Sequence, residues 1–458
     1  MQTRKLFGTD GMRGEAGRYP LDPETVLKFG RALGRQLQAR NGNGQPQVVL
    51  GEDTRESSRW ISRVLAAGVR STGARLFYAG VITTPGVAFL TRHHGFNAGI
   101  MVSASHNPYS DNGIKVFSNS GLKLSDAQEL EIERAIESDA PGDGPAAEEE
   151  LSAEPDFVQE YVTYLCGLLP GDWPLPAAPL AVDCANGSAS RVVPLLLKEL
   201  GIEARILNAA PDGRNINFRC GSLHPDALAR EAQAANAHLG IAFDGDADRA
   251  IFATPDGHIA DGDHVLYAVA PWYQRQQKLK GHTVVGTLMT NLGLEHALGR
   301  CGITLKRTAV GDRYVLEEML RSGYNLGGEP SGHIIFADLS LAGDGIITLL
   351  QVLRMLGETG ASFKQSIAGL KQFPQVIRNV RVREKRPLDS IPEVARTVEA
   401  CTNELGDAGR IVVRYSGTEP LARVMVEAQD AAAVELHTAR ITKAIESAIG
   451  AAEQSDET

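Results

Sequence analysis

At 458 residues the chain is too long for one ordinary core, and three or four domains are expected. Hydrophobic content of 43% with 22% charged residues excludes global disorder and a fibrous repeat. A net charge of −10 argues against a nucleic-acid or membrane-surface binder only if it is evenly spread. It is not. The stretch Glu137–Asp156 holds eight acids and no bases, and Gly450–Thr458 adds three more acids, so the rest of the chain is close to neutral and can still take an anionic substrate. The five cysteines (Cys166, Cys184, Cys220, Cys301, Cys401) are far apart and read as buried free thiols in a reducing cytosol. Met1–Asp10 has no apolar signal region, and no run of 18 apolar residues occurs, so a soluble cytoplasmic protein is expected.

Short apolar β-branched runs alternate with helical patterns. Asp22-Pro23 opens a helix with a cap and a Pro at its first position, and Val26, Leu27, Leu33 and Leu37 mark its apolar side. A strand at Val48–Leu50 ends in the polar turn Gly51–Arg55. A helix near Ser58–Ser71, a strand at Arg75–Tyr78, a helix near Pro85–Arg92 and a strand at Gly99–Val102 follow. After the acidic stretch, strands at Leu180–Asp183, Ala204–Leu207 and Leu239–Phe243 alternate with helices at Val192–Leu200 and Pro225–Ala237. A third round has strands at Thr283–Thr287, Thr304–Ala309 and Asn325–Gly327, with helices near Gly293–Arg300, Tyr314–Arg321 and Gly345–Leu356. Three α/β units of one grammar suggest a diverged internal repeat. The last ninety or so residues differ: a strand at Val376–Arg383, a helix at Pro392–Leu405, a hairpin-like pair at Arg410–Tyr415 and Ala422–Ala428, and a helix from Ala432 to Ile449. The predicted fold is α/β: three related α/β domains with mixed, mostly parallel sheets plus a smaller α+β C-terminal domain. The expected boundaries are 1–154, 155–254, 255–371 and 372–458.

Ligands of α/β sheets sit beyond the carboxyl ends of strands, so the loops there are the places to look. After the first unit's strand comes Ser103-Ala104-Ser105-His106-Asn107-Pro108, in which a hydroxyl beside imidazole and amide groups can accept a phosphoryl group, or can simply form a turn. After the second comes Asp244-Gly245-Asp246-Ala247-Asp248-Arg249. Three carboxylates at alternate positions make a hard-oxygen cation site, and a solvated acidic turn partly neutralised by Arg249 is the other reading. An EF-hand fails, because Arg249 and Pro255 stand where its loop needs Gly and Glu. The third loop, Gly327–His333, offers Glu329 and Ser331 as partners for sugar hydroxyls. In the last domain Arg414-Tyr415-Ser416-Gly417-Thr418-Glu419-Pro420, with Arg423 behind it, reads equally as a phosphate nest and as a hairpin turn. The P-loop, dinucleotide, nucleophile-elbow and zincin motifs are all absent.

In this order and at these distances the four loops resemble the α-D-phosphohexomutase superfamily over nearly the whole chain. Phe7–Gly14, Asn112–Lys115, Thr287–Gly293 and Val310–Val315 add to the likeness, and the last two favour its glucosamine branch. The sequence departs at Pro330, where the family's sugar loop usually has Gln or Met, and at Tyr415, which often is Pro or Lys.

The resemblance implies four domains around a central cleft and a phosphoserine enzyme. Ser105 would carry the phosphoryl group, with one of its oxygens on Mg²⁺ beside Asp244, Asp246 and Asp248. The enzyme would pass that group to glucosamine 6-phosphate, form a 1,6-bisphosphate that turns end over end, and release glucosamine 1-phosphate for amino-sugar nucleotide and cell-wall precursor synthesis. Lys115 would be the acid/base candidate, with Arg13, His106 and Arg249 supporting the phosphoryl group. Asp312, Arg313, Glu329, Ser331 and His333 would bind substrate, and Arg414, Ser416, Gly417, Thr418 and Arg423 would hold the phosphate not in transfer. Glucosamine or glucose 1,6-bisphosphate would act as activator. The expected partner is a small hexosamine phosphate, with no nucleic acid and no membrane, and whether a homodimer forms stays open. Three alternatives remain: a phosphomannomutase or phosphoglucomutase of the same superfamily, a metal-dependent sugar phosphatase, and a non-enzymatic sugar-phosphate sensor.

Overall fold

The computed structural model describes residues 6–8, 10–42, 44–139, 150–416 and 420–451. The chain divides into two compact units. One comprises Met1–Thr287 and Lys306–Ala368, and the other Leu288–Leu305 and Gly369–Thr458.

The first unit holds three sheets. In the first, strands Gln47–Glu52, Arg75–Val81 and Ala98–Val102 pair in parallel, the outer two flanking Gln47–Glu52, and Ala98–Val102 is buried along its whole length. Val48, Leu50 and Ile100 are fully buried, each contributing about 1.5–3 kcal/mol relative to exposure. Helix Pro23–Arg40 starts on Asp22, whose carboxylate accepts from the Thr25 N–H, and it packs on helix Glu56–Arg70. Gly30 and Gly68 make that packing close: a Cβ on either would stand 2.5 Å from a carbonyl oxygen of the other helix.

Antiparallel strands that the sequence reading did not include extend one edge of this sheet. Asp111–Ser118 pairs with Ala98–Val102, followed by Gly11–Glu15 and Phe7–Gly8. The second sheet repeats the plan. Leu180–Asp183, Ala204–Leu207 and Leu239–Phe243 are parallel, and Ala250–Ala253 and Ile259–Ala260 continue antiparallel. In the third, Thr283–Thr287 runs parallel to Leu326–Gly328, which turns back antiparallel as Ile334–Phe336. The sheets are therefore mixed; in the first two the parallel strands lie on one side and the antiparallel strands on the other, and the added antiparallel strands make these sheets less parallel than the sequence suggested.

The second unit is a three-stranded antiparallel sheet, in the order Gln375–Arg381, Leu421–Ala428, Gly409–Tyr415, with helices Pro392–Leu405 and Ala431–Ile449. Val424, Val426, Cys401, Ile441 and Ile445 form its core. This is the expected α+β grammar.

Helices Asp126–Ser138, Phe157–Cys166 and Gly262–Arg275 were not anticipated. The last contains Pro271, which reads as a breaker in sequence. All five cysteines are free thiols, as expected, although Cys166 and Cys301 are only half-buried. Among the described residues no helix is long and apolar enough to cross a membrane.

Candidate active site

Ser105 follows strand Ala98–Val102 and is buried, with φ 52. That left-handed backbone is costly for a residue with a Cβ, and it persists only where surroundings over-determine it. Here the Ser103 hydroxyl oxygen accepts from the Ser105 N–H at 2.9 Å. The Ser105 hydroxyl in turn donates to Asp244 Oδ2 at 2.5 Å and lies 3.3 Å from His106 Nδ1.

Asp244, Asp246 and Asp248 lie in the tight connection between antiparallel strands Leu239–Phe243 and Ala250–Ala253. All three are buried, and they offer carboxylate oxygens within 4.8 Å of one another. Asp246 Oδ1 and Asp248 Oδ1 are buried without a hydrogen-bond partner. Burial, then the charges of Asp248 and Asp246, push the Asp244 carboxyl well above its ordinary range. Orphaned carboxylate oxygens beside a serine hydroxyl form an all-oxygen, net-negative donor set, which fits a hard divalent cation such as Mg²⁺.

Lys115, on strand Asp111–Ser118, is fully buried rather than solvated. Its ammonium is 2.7 Å from Asp246, 3.1 Å from Asp10 and 3.5 Å from Asp248. Burial opposes its charge, yet the three carboxylates outweigh it and raise its pKa. The same contest holds the Asp248 carboxyl well below the carboxylate range: burial resists ionisation, but Lys115, His333 and Arg249 prevail. Arg13 pairs with Asp10. Arg249 lies 3.9 Å from Asp248, and its Nε is buried without a hydrogen-bond partner. Burial, Arg249 and Arg13 lower His106 to about 4, so the ring is neutral near pH 7.

The third loop joins this cluster. His333 is buried between Asp248 (3.7 Å) and Asp312 (3.6 Å). Burial opposes its protonation, but these two acids raise its pKa. Glu329 accepts from the Gly311 N–H at 3.1 Å, and Ser331 Oγ is buried without a partner. Gly332 needs its positive φ of 89, and a Cβ there would sit 2.2 Å from the Ala250 carbonyl oxygen, so this loop rests on the aspartate hairpin.

Arg313 lines one cavity with Asp248, Asp312 and His333. It pairs with Glu317 at 2.8 Å and with Asp126. Sequence reasoning missed Asp10 and Lys123. Lys123 bridges Asp10 and Asp312, reaching the latter at 2.6 Å. It also missed Thr84, whose hydroxyl donates to Asp246 Oδ2 at 2.5 Å. Asp10 lies inside the Phe7–Gly14 string, the one signal that could have pointed to it.

In the second unit Arg414 and Arg423 face each other across paired strands. Burial and the neighbouring Arg423 charge lower the Arg414 pKa. Like charges directly opposite destabilise a sheet unless an anion lies between them. Ser416 is buried, and its carbonyl accepts from Lys385 at 2.7 Å. Gly417 and Thr418 lie outside the described residues.

A serine, a carboxylate triad and a histidine–glutamate loop, each after a strand of a separate sheet, define an enzyme of phosphoryl transfer on sugars. Family models for phosphoglucomutase/phosphomannomutase match in chain order: α/β/α domain I over residues 4–142, domain II over 174–257, domain III over 261–373 and the C-terminal domain over 378–444. The chain belongs to this phosphohexomutase family. It is 50% identical, over 98% of each chain, to the phosphoglucosamine mutase of Koribacter versatilis (strain Ellin345). Its fold is similar to that of a phosphoglucomutase/phosphomannomutase family protein from Burkholderia thailandensis, with TM-score 0.79, 24% identity and 97% of each chain covered. It is also similar to Aspergillus fumigatus N-acetylphosphoglucosamine mutase, solved with GlcNAc-6P and magnesium (TM-score 0.64, 19% identity, 97% of this chain and 96% of that one).

Proposed function

We propose that the protein interconverts glucosamine 6-phosphate and glucosamine 1-phosphate through a phosphorylated Ser105 and a 1,6-bisphosphate intermediate. The observation that carries this is the Ser105 hydroxyl at 2.5 Å from Asp244, beside two further buried aspartates. The 50% identity to a phosphoglucosamine mutase over nearly the whole chain supports the hexosamine as substrate. Asp244, Asp246, Asp248 and the Ser105 phosphate would hold Mg²⁺, which supplies positive charge to a phosphoryl group in flight.

The chain's own residues do the rest. Ser105 Oγ gives up its bond to phosphorus as the sugar hydroxyl oxygen forms one. Lys115 exchanges the proton between the two oxygens, while Arg13, Arg249 and neutral His106 steady the phosphoryl oxygens. Glu329, Ser331 and His333 take the sugar hydroxyls, and Asp312 fixes His333. Arg414, Ser416, Gly417, Thr418 and Arg423 take the phosphate that is not transferred, and one such nest serves either end of the bisphosphate. Arg313, which lines the cavity beside Asp312 and His333 and pairs with Glu317 and Asp126, also binds substrate.

The domains are proposed as 1–154, 155–254, 255–371 and 372–458, the activator as glucosamine or glucose 1,6-bisphosphate, and the compartment as the cytoplasm. Ser105→Ala is expected to abolish turnover of glucosamine 6-phosphate while the fold survives. Near-normal turnover in that variant would overturn the phosphoserine scheme. At least tenfold better use of mannose or glucose 1-phosphate by the natural enzyme would move it to the neighbouring branch, and phosphate release matching sugar turnover would make it a phosphatase.

A further inference from the structure

We propose that Asp53 and Arg55 are a positioning pair that sets the backbone of Ser105 and thereby aims its hydroxyl for phosphoryl transfer. The inference rests on the reading of Ser105 as the phosphoryl carrier.

In sequence these residues belong to a polar turn after a strand. In the structure both side chains are wholly buried, with Arg55 Nε donating to Asp53 Oδ2 at 2.8 Å. Asp53 Oδ1 accepts from the Ser58 hydroxyl at 2.7 Å and the Arg55 N–H at 3.1 Å, while the remaining groups of the pair run to the loop that carries Ser105. Asp53 Oδ2 also accepts from the Ser103 hydroxyl at 2.7 Å, and the oxygen of that hydroxyl accepts from the Ser105 N–H at 2.9 Å. Arg55 Nη2 donates to the carbonyls of Ser105 and Asn107, both at 2.9 Å. Its Nη1 donates to the Asp111 carbonyl at 3.0 Å and to that of Pro108. Both backbone polar groups of Ser105 therefore trace to Asp53, the N–H through Ser103 and the carbonyl through Arg55.

Asn217 closes the clamp from the other side. Its amide donates to the carbonyls of Ser105 at 2.8 Å and Asn107 at 3.1 Å.

The chemistry demands this arrangement. Left-handed φ at a serine carries a conformational cost that the surroundings must offset. A buried ion pair adds little net stability by itself, since desolvation consumes most of the attraction. Stability therefore does not account for a buried guanidinium whose outward donors all go to carbonyls of one loop. Geometry does. A planar guanidinium offers five N–H bonds in a rigid fork, which a lysine ammonium cannot reproduce. Loss of the Arg55 fork would leave the Ser105 carbonyl to Asn217 alone and free those of Pro108 and Asp111, so that φ can relax and the hydroxyl swing away from Asp244. A displacement of about 1 Å at a reacting atom costs on the order of a hundredfold in rate. Neither Asp53 nor Arg55 reaches a reacting atom, so they act through Ser105.

The test uses the full-length protein with glucosamine 6-phosphate, following kcat, KM and thermal unfolding. Arg55→Lys is expected to lower kcat by about a hundredfold with KM little changed. Arg55→Ala should recover at least tenfold of its lost kcat in millimolar guanidinium, which a general loss of packing would not allow. Ser103→Ala, a milder change that removes the acceptor of the Ser105 N–H, should lower kcat by about tenfold in a protein that still folds, with a lowered melting temperature from the N–H left unpaired. It keeps the test decisive if Arg55 variants fold poorly. A folded Arg55→Lys or Ser103→Ala protein with natural kcat would overturn the proposal. Failure of the underlying reading looks different: there, Ser105→Ala itself remains active.

Discussion

An arginine bonded to a fully buried carboxylate and to backbone carbonyls occurs in each unit of the molecule, Asp53–Arg55 in the larger and Glu427–Arg410 in the smaller, and the two differ in what the guanidinium holds. In the C-terminal unit Arg410 and Glu427 are partners across paired strands, joined at 2.7 Å. Arg410 donates to the carbonyls of Leu288 and Thr290, each at 2.9 Å, while Glu427 Oε1 accepts from the Leu292 N–H at 2.8 Å. The chain held is the start of helix Leu292–Arg300, which Asn291 caps in the ordinary way. In the larger unit Asp53 and Arg55 hold a loop whose central serine sits in a left-handed conformation facing a carboxylate triad. The bonding device is the same. One pair pins an unstrained helix start to its sheet; the other maintains a conformation that the local chain would abandon. Substitutions at the first should read out in stability, and substitutions around the second in turnover.

The largest effect that sharpens this contrast is expected at the triad. Asp246→Asn removes the carboxylate charge nearest Lys115 and one of the two orphaned oxygens. It should lower Mg²⁺-dependent kcat/KM by at least about 10²–10³-fold, the cost of removing one preorganised electrostatic group from a dry site. Activity titrated against Mg²⁺, with circular dichroism to check the fold, measures it; an unchanged metal dependence would remove the triad as a ligand set.

Next comes Arg410→Met, which leaves Glu427 buried without its cation. The expected loss is about 3–5 kcal/mol from the unfolding of the C-terminal unit, read by urea titration. Below its transition the folded variant should keep kcat within about threefold. A collapse of kcat in the folded protein would break the distinction between the two pairs.

How much of this was legible depended on whether the signal was local. Leu180–Asp183, Leu239–Phe243 and Thr283–Thr287 were read to the residue, because an apolar β-branched run buried on both faces carries its own signature. Ser105 and the aspartates were candidates because ligands of α/β sheets sit beyond strand ends, although a simple turn and a solvated acidic turn were the other readings until the family resemblance was added. Asp53 and Arg55 were not candidates, since an Asp-Thr-Arg turn has the composition of any solvated turn and its partner Ser105 lies fifty residues on. Lys115 was found from its family string, but its burial was invisible: the acids that tolerate it come from two distant segments, Asp10 from one and Asp246 and Asp248 from the other. Arg313 was found from its family string too, but its ion pairs, one to the local i,i+4 carboxylate Glu317 and one to Asp126, were not.

The smallest predicted effect concerns a buried acid whose side chain is held by neutral groups instead of an arginine. Asp344 caps helix Gly345–Thr359, accepting from the N–H groups of Ile346 at 2.8 Å and Ile347 at 3.0 Å, and from the Tyr161 hydroxyl at 2.5 Å. Burial pushes its pKa up to about 6, against an ordinary 3.8, and these three hydrogen bonds only moderate the shift. The folded protein therefore binds this proton more tightly than the unfolded chain does. The stabilisation is fully present below pH 3.8 and is lost as pH rises through 6, a change of about 3 kcal/mol at most. Asp344→Asn keeps an acceptor for the two N–H groups and does not titrate. The unfolding free energy of the natural protein should therefore fall relative to the Asn variant between about pH 4 and pH 7. Urea titrations of both proteins across that range measure the difference. If the gap stays constant, the Tyr161 hydroxyl and the helix N–H groups stabilise the carboxylate as well as a guanidinium would, and the contrast between paired and unpaired buried acids loses its third case.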